Sequence, residues 1–191
     1  MRFGIRASIV GLALTVAACA STPTQIFTLT ADPPARPVAA LHGGPQLAVA
    51  EVPLPAVIDR NEIVINEGNG KLDLTQNSAW VAPLGSLIRQ TVTSDLQLRL
   101  GNDVVLSPGA LATRPGLRIL KLNIQQFMGS KDGRVLLIVD WQILRAGGSN
   151  VLAQSHEVIT TEAASGKAAD LVPAMSRALA ELADRVAARV R

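Results

Sequence analysis

Three runs of alternating apolar and polar residues lie between residues 117 and 162, and they constrain the fold more than any other feature. They span residues 117–127, 134–144 and 151–162, each long enough for a strand with one face in a core. Lys131-Asp132-Gly133 separates the first two runs, and Gly147-Gly148-Ser149-Asn150 separates the last two. These residue types accept the backbone angles of tight hairpin turns. The pattern therefore predicts an antiparallel three-stranded meander.

Two further stretches carry apolar residues every three or four positions, which is the period of a helix. The first spans residues 79–100, with Asn77 or Ser78 as the expected cap and Gly101 at its end. The second begins after Asp170 and continues to the last residues; its stripe lacks Trp and Phe, which favours packing on the sheet over lying on a membrane surface. Together the runs predict an α+β fold, an antiparallel β-sheet with two long helices packed on one face.

Shorter strands are predicted before and after the first helix, where β-forming residues lie between prolines and glycines. They cover residues 26–30, 46–52, 62–66, 71–74 and 103–106. Residues 67–70, Glu-Gly-Asn-Gly, form the expected turn between the third and fourth of these strands. These strands add to the predicted sheet, but their order in it does not follow from the pattern.

The N-terminus has the three parts of a secretory signal peptide. Arg2 and Arg6 give a positive region, residues 9–17 are mainly apolar, and small residues follow. A transmembrane helix is disfavoured, because residues 5–20 would span roughly 24 Å against a hydrocarbon core of about 30 Å. The chain is therefore expected to enter the cell envelope and to lose residues 1–18.

Cys19 is the single cysteine of the chain, so a disulfide could form only between molecules. Val16, Ala17 and Ala18 precede it, and this run resembles the lipobox that signal peptidase reads in bacterial lipoproteins. The resemblance implies a diacylglycerol on the Cys19 sulfur, cleavage before Cys19, and acylation of the new amine. The alternative is a chance cysteine in an apolar tail. We expect a lipidated Cys19 with a tether over residues 19–25, then one periplasmic domain over residues 26–191.

Composition excludes several classes of function. Removal of residues 1–18 lowers the formal net charge from +3 to +1, and aromatic residues make up 3%, so nucleic-acid binding has little support. His42 and His156 have no second His or Cys at a metal-ligand spacing, and no nucleophile elbow or phosphate-binding loop occurs. We expect no catalytic residues, no metal and no cofactor beyond the covalent lipid, and hence no enzyme.

The order of motifs resembles that of the ABC-type transport auxiliary lipoproteins. After Cys19 come Phe27-Thr28-Leu29, then VAEVPLPAVIDRNEIVI over residues 49–65, then WVAPL from Trp80, then the Asp140-Trp141 strand and an Ala/Leu-rich terminal helix. The resemblance implies a non-catalytic subunit of an envelope transport system. Its partners would be a mammalian cell entry (MCE) domain protein, the associated ABC permease and ATPase, and outer-membrane lipid.

The resemblance also implies intermembrane lipid transport and membrane integrity as the process served. Ala20, rather than Asp, after Cys19 favours the outer membrane over the inner membrane, facing the periplasm. Asp59, Arg60 and Trp80 are candidate partner contacts, although a Trp filling core volume is the alternative. Two other functions stay open: a periplasmic carrier that holds an acyl chain itself, and a structural lipoprotein that assists outer-membrane assembly. Self-association is also left open.

Overall fold

The computed structural model describes residues 23–35 and 39–190. The predicted signal peptide, Val16, Ala17, Ala18, Cys19 and most of the tether lie outside the described residues. The elements in chain order are β1 (Gln25–Phe27), β2 (Leu47–Val49), β3 (Glu62–Gly68), β4 (Lys71–Trp80), α1 (Leu84–Leu100), β5 (Val105–Leu106), β6 (Arg118–Ser130), β7 (Arg134–Arg145), β8 (Val151–Glu162) and α2 (Ala168–Val190). The predicted meander is confirmed as β6, β7 and β8, which pair antiparallel.

Helix α1 begins later than the periodicity predicts. Trp80 is the last residue of β4, and Pro83 occupies the N-cap position without a side-chain hydrogen bond, so the predicted caps Asn77 and Ser78 are wrong. The Trp80 N–H donates to the carbonyl of Asn61 (2.7 Å), which keeps this residue in the sheet. Trp80 matches the apolar spacing of the helix although it lies in β4, because β4 and α1 bury their apolar side chains in the same core. The helix ends at Gly101 as predicted, with φ of 100°.

The sheet has eight strands and is mixed. The α+β fold with two helices on one face is confirmed, but the sheet is not antiparallel throughout. β1 runs parallel to β4, β2 runs parallel to β5 and β6, and β3 pairs antiparallel with β4 but parallel with β6. Because α1 connects β4 to the β5–β6 region, the chain can return beside β3 in the same direction. The strand pattern shows burial, and it carries no information on which neighbours pair.

The core lies between the two helices and the inner face of the sheet. Ile88, Leu96, Leu120, Leu137 and Leu179 are all fully buried there. Helix α2 approaches the sheet closely at Gly129, where a Cβ atom would lie 2.6 Å from a δ-carbon of Leu171. No helix in the described part of the chain is long and apolar enough to span a membrane.

An irregularity in β6 between Ile124 and Gln126 shifts the alternation of its side chains. Leu120, Leu122 and Ile124 face the core before it, and Phe127 faces the core after it. The outer face of the meander consequently presents polar side chains near Asn123 and more apolar ones toward the β6–β7 turn.

Candidate functional site

The N-terminal segment, residues 25–35, is built into the fold, and we refer to it as the anchor strap. Its first residues form β1, and the Phe27 carbonyl accepts a hydrogen bond from the Val81 N–H (2.9 Å). Leu29 is 6% exposed and belongs to the core. The Thr30 N–H donates to Ser176 Oγ on α2 (3.1 Å). The strap is thus joined both to the edge of the sheet and to the second helix.

A set of charged side chains, two of them buried and one half-exposed, holds the strap at Asp32. We refer to Asp95 and Arg99 of α1 with Asp184 of α2 as the clasp. The Asp32 N–H donates to Asp95 Oδ1 (2.8 Å), and Arg99 Nη1 donates to the Asp32 carbonyl (3.1 Å). Arg99 also donates through Nε and Nη2 to the two carboxylate oxygens of Asp184, at 2.7 and 3.1 Å. One arginine therefore connects the strap and both helices.

Burial dominates the electrostatics of the clasp. Asp95 is fully buried and Arg99 is 2% exposed. Burial raises the pKa of Asp95 to about 7, although the Asp32 N–H and the nearby Arg99 guanidinium act in the opposite direction. Asp95 Oδ1 accepts the strap hydrogen bond, whereas no described donor reaches Asp95 Oδ2. A neutral carboxyl group at this position keeps its bond to the strap without the cost of a buried charge.

A second group of polar side chains lies on the outer face of the meander. We refer to Gln125, Asp140 and His156 as the outer-face cluster. Gln125 Nε2 donates to Asp140 Oδ2 (2.6 Å), and His156 Nδ1 lies 2.7 Å from Asp140 Oδ1. These hydrogen bonds, that of His156 first, hold the pKa of Asp140 below its ordinary value. The cluster borders an open groove of about 920 Å³ that Lys121 and Gln154 also line.

The outer-face cluster offers groups for polar recognition. Its members are one carboxylate, one amide and one imidazole, all accessible to solvent. In the described part of the chain, no three His, Cys, Asp or Glu residues are grouped so that they could hold a metal ion. His42 lies elsewhere, at 3.6 Å from Asp103, and both side chains are largely exposed. The arrangement can bind polar groups of a partner through hydrogen bonds and charge.

The structure separates the three predicted partner contacts. Asp59 and Arg60 are exposed and lie in the turn after Ile58, where the Asp59 N–H donates to the Pro55 carbonyl (3.1 Å). Asp59 lines an open groove together with Arg89. Trp80, by contrast, is 6% exposed and packs in the core, which was the alternative reading of this residue. The Asp59-Arg60 pair therefore offers surface groups to a partner, and the Trp80 side chain does not.

Sequence reasoning missed the clasp, although part of its signal is visible. Asp95 and Arg99 are four residues apart, so they share a helix face, and they lie beside Leu96 and Leu100 on the apolar side. A charged pair next to an apolar stripe indicates buried ionic contacts. No spacing rule links that pair to Asp184, which follows 85 residues after Arg99.

The fold and the strap define a class: an α+β domain whose segment 25–35 is fixed to the sheet edge, the core and the second helix. The chain belongs to the ABC-type transport auxiliary lipoprotein family, since the family model for this component matches residues 27–187. This confirms the resemblance seen in the motifs.

Two curated relatives and two solved structures extend the comparison. The chain is 26% identical over 108 residues to the intermembrane transport lipoprotein PqiC of Escherichia coli, and equally to that of Shigella flexneri. Each match covers 56% of both proteins, so the chain spans little more than half of these relatives' length. A crystal structure of an uncharacterized protein has a TM-score of 0.73 at 16% identity, covering 89% of this chain and 100% of that one. A DUF330 protein of Xanthomonas campestris has a TM-score of 0.66 at 18% identity, covering 86% and 93%. The two structures support the fold.

Proposed function

We propose that the protein is a lipid-anchored, non-catalytic auxiliary subunit of an ABC/MCE-type envelope transport system. The observation that carries the proposal is the family match over residues 27–187, joined to the lipobox-like run before Cys19. The name of the PqiC relatives, intermembrane transport lipoproteins, points in the same direction. The subunit serves lipid transport between membranes and thereby membrane integrity.

The anchor is a covalent lipid on Cys19 and a further acyl chain on its amine. Each buried CH₂ group contributes about 0.8 kcal/mol, so two or more chains make the attachment effectively permanent. Ala20 in place of Asp supports the outer membrane as the site, with the domain in the periplasm. The strap begins within a few residues of Cys19, so the lipid and the folded domain are closely coupled.

The domain engages the MCE-domain protein, and through it the permease and ATPase. The exposed Asp59-Arg60 turn and the outer-face cluster offer charged and polar groups for such a contact. The space between helices and sheet is occupied by buried side chains of the chain itself, such as Ile88 and Leu179. This supports the subunit role over a carrier that holds an acyl chain in its core. Self-association through the same domain is compatible with the proposal.

The anchoring part is tested by fractionating cells that express the full chain with a C-terminal tag. Wild type should sediment with outer membranes on a density gradient, and Cys19→Ala should leave the membrane fraction. The substitution Ser21→Ala, two residues further on, serves as the control and should behave as wild type. Membrane attachment that survives Cys19→Ala would contradict the proposed anchor.

The partner is tested by co-purification from detergent, followed by mass spectrometry. An MCE-domain protein should elute with wild type and elute less with the double variant Asp59→Ala, Arg60→Ala. The matched control is Asp103→Ala with Arg145→Ala, an exposed acid and base elsewhere on the surface. Recovery without any MCE or ABC component would overturn the proposed function, whereas equal recovery from all variants would exclude only this contact surface.

A further inference from the structure

Large apolar side chains are exposed at several places on the described surface, and four of the ten lie along one sheet edge. Ile26 belongs to β1, Leu72 and Leu74 belong to β4, and Val81 directly follows β4. Ile26 is 59% exposed and Val81 is 60% exposed. A group of exposed apolar side chains on one edge indicates an interaction surface.

The chain leads from this edge toward Cys19. β1 pairs in parallel with β4, with Gln25 opposite Ser78, so the chain before Gln25 points toward the part of β4 that carries Leu74 and Leu72. Gln25 is the sixth residue after Cys19, and six residues of extended chain reach at most about 22 Å. A lipid on Cys19 therefore keeps the bilayer within that distance of the β1–β4 edge.

The strap cannot lengthen this connection without breaking the fold. Its backbone is held by the sheet edge at Phe27, by Ser176 at Thr30, and by the clasp at Asp32. Peeling it away would expose the Leu29 side chain and remove the Asp32 backbone partners of the buried Asp95 and Arg99 side chains, which is costly in a buried site. The orientation of the domain relative to its anchor is thus set by the edge from which the strap emerges.

We infer that the β1–β4 edge rests on the lipid surface, with Ile26, Leu72, Leu74 and Val81 in contact with the interfacial region of the membrane. This inference rests on the proposed anchor at Cys19. Apolar side chains lower their free energy at the boundary between headgroups and acyl chains. Lys71 stands next to Leu72 with a largely exposed side chain, and its ammonium group is paired with Glu67 at the surface. The meander and its outer face then point away from the anchor edge.

The experiment uses the full lipidated chain in vesicles of phosphatidylethanolamine and phosphatidylglycerol. Because acylation occupies the single native cysteine, a new cysteine is the single free thiol for a bimane label. Val81→Cys is compared with Val158→Cys, because Val158 is similarly exposed, at 52%, but lies in β8. Strands β3, β6 and β7 lie between β4 and β8, which places the two positions about 19 Å apart along the sheet.

Nitroxide-bearing lipids should quench the label at residue 81 about twofold or more strongly than the label at residue 158, and Ile26→Cys should behave like Val81→Cys. Adding Val81→Asp to the Ile26→Cys chain should reduce quenching at residue 26, because a charge is disfavoured in the interface. Equal quenching at residues 81 and 158 would overturn the inference while the anchor stands. Two labels per chain, or failure to float with vesicles, would overturn the anchor, and the inference with it.

Discussion

The clasp and the outer-face cluster use similar residues in opposite environments. Asp95 lies within 3.5 Å of the Arg99 guanidinium, and Asp140 lies 2.7 Å from the His156 ring. Burial raises the pKa of Asp95 to about 7, whereas hydrogen bonds from His156 and Gln125 lower the pKa of Asp140. At Asp95, removal from water therefore affects the pKa more than the nearby cation does. At the solvent-exposed Asp140, the hydrogen bonds determine the direction of the pKa shift.

The two groups also differ in what they connect. The clasp joins the strap, α1 and α2, which are far apart in the chain. The outer-face cluster joins three consecutive strands that already share continuous ladders of backbone hydrogen bonds. The clasp should consequently support the tertiary structure, and the outer-face cluster should be dispensable for it and available to a partner.

The sharpest test of this contrast is Arg99→Leu. It removes a buried guanidinium group that donates to the half-exposed Asp184 and to the Asp32 carbonyl. Hydrogen bonds of a charged group contribute about 1.5–3 kcal/mol each, so the loss of several should cost about 3–5 kcal/mol. The matched control is Arg134→Leu, because Arg134 is 59% exposed and lies near Asp132 and Glu162. The control should cost about 0–1 kcal/mol. Urea unfolding followed by circular dichroism measures both, and equal losses of stability would contradict a special role for the clasp.

The second test concerns pH. Asp95 has a pKa of about 7 in the folded chain. An unfolded aspartate has a pKa of about 3.9, so between these values the folded chain holds a proton that the unfolded chain has released. The stability that this proton contributes is complete below about pH 4 and is lost as the pH rises through about 7. Wild type should therefore lose on the order of 3 kcal/mol more than Asp95→Asn between about pH 5 and about pH 8.

Unfolding free energies of both chains across this pH range supply the measurement. Asp103→Asn is the control, because the Asp103 side chain is 62% exposed. The unfolding free energy of this control variant should change with pH in parallel with that of wild type. Parallel profiles for wild type and Asp95→Asn would mean that the buried carboxyl group stays ionised throughout.

The regions that the sequence predicts well are those whose contacts are local. The β6–β7–β8 meander follows from alternation and two turn signals, because consecutive strands joined by short loops pair with each other. The strands β1 and β2 are also visible as short apolar runs. β1 pairs in parallel with β4, and β2 pairs in parallel with β5 and β6. These pairings depend on contacts between segments distant in the chain, and the periodicity of a sequence does not predict such contacts.

The candidate sites show the same limit. Asp59 and Arg60 are candidate partner contacts from the sequence, and the structure places both on the surface. Trp80 is a candidate contact too, yet it continues the apolar period of the following helix, and that period is a sequence signal for the burial that the structure shows. The clasp needs Asp32, Asp95 and Asp184 to meet at one arginine, and only the tertiary fold brings them together.

The third test separates the strap from the clasp. Ser176→Ala removes the acceptor of the Thr30 N–H and should cost about 1 kcal/mol, the net value of one hydrogen bond. Amide exchange at Thr30 should accelerate, while exchange in the meander should follow only the change in global stability. Ser86→Ala, an exposed position at the start of α1, is the control. Unchanged exchange at Thr30 would show that the clasp and β1 hold the strap without Ser176.

The smallest effect on stability is expected from His156→Ala. Loss of the His156 hydrogen bond should raise the pKa of Asp140 toward its ordinary value, although the bond from Gln125 keeps part of the depression. A depressed pKa adds stability that is present above the unfolded value and lost as the pH falls, but solvent screens this contribution at an exposed site. Carboxyl carbon NMR titration measures the pKa, with Gln154→Ala, on the same exposed face of β8, as the control. A loss of stability as large as that of Arg99→Leu would mean that the outer-face cluster, like the clasp, stabilises the fold. The structural argument that this surface is available to a partner would then fail.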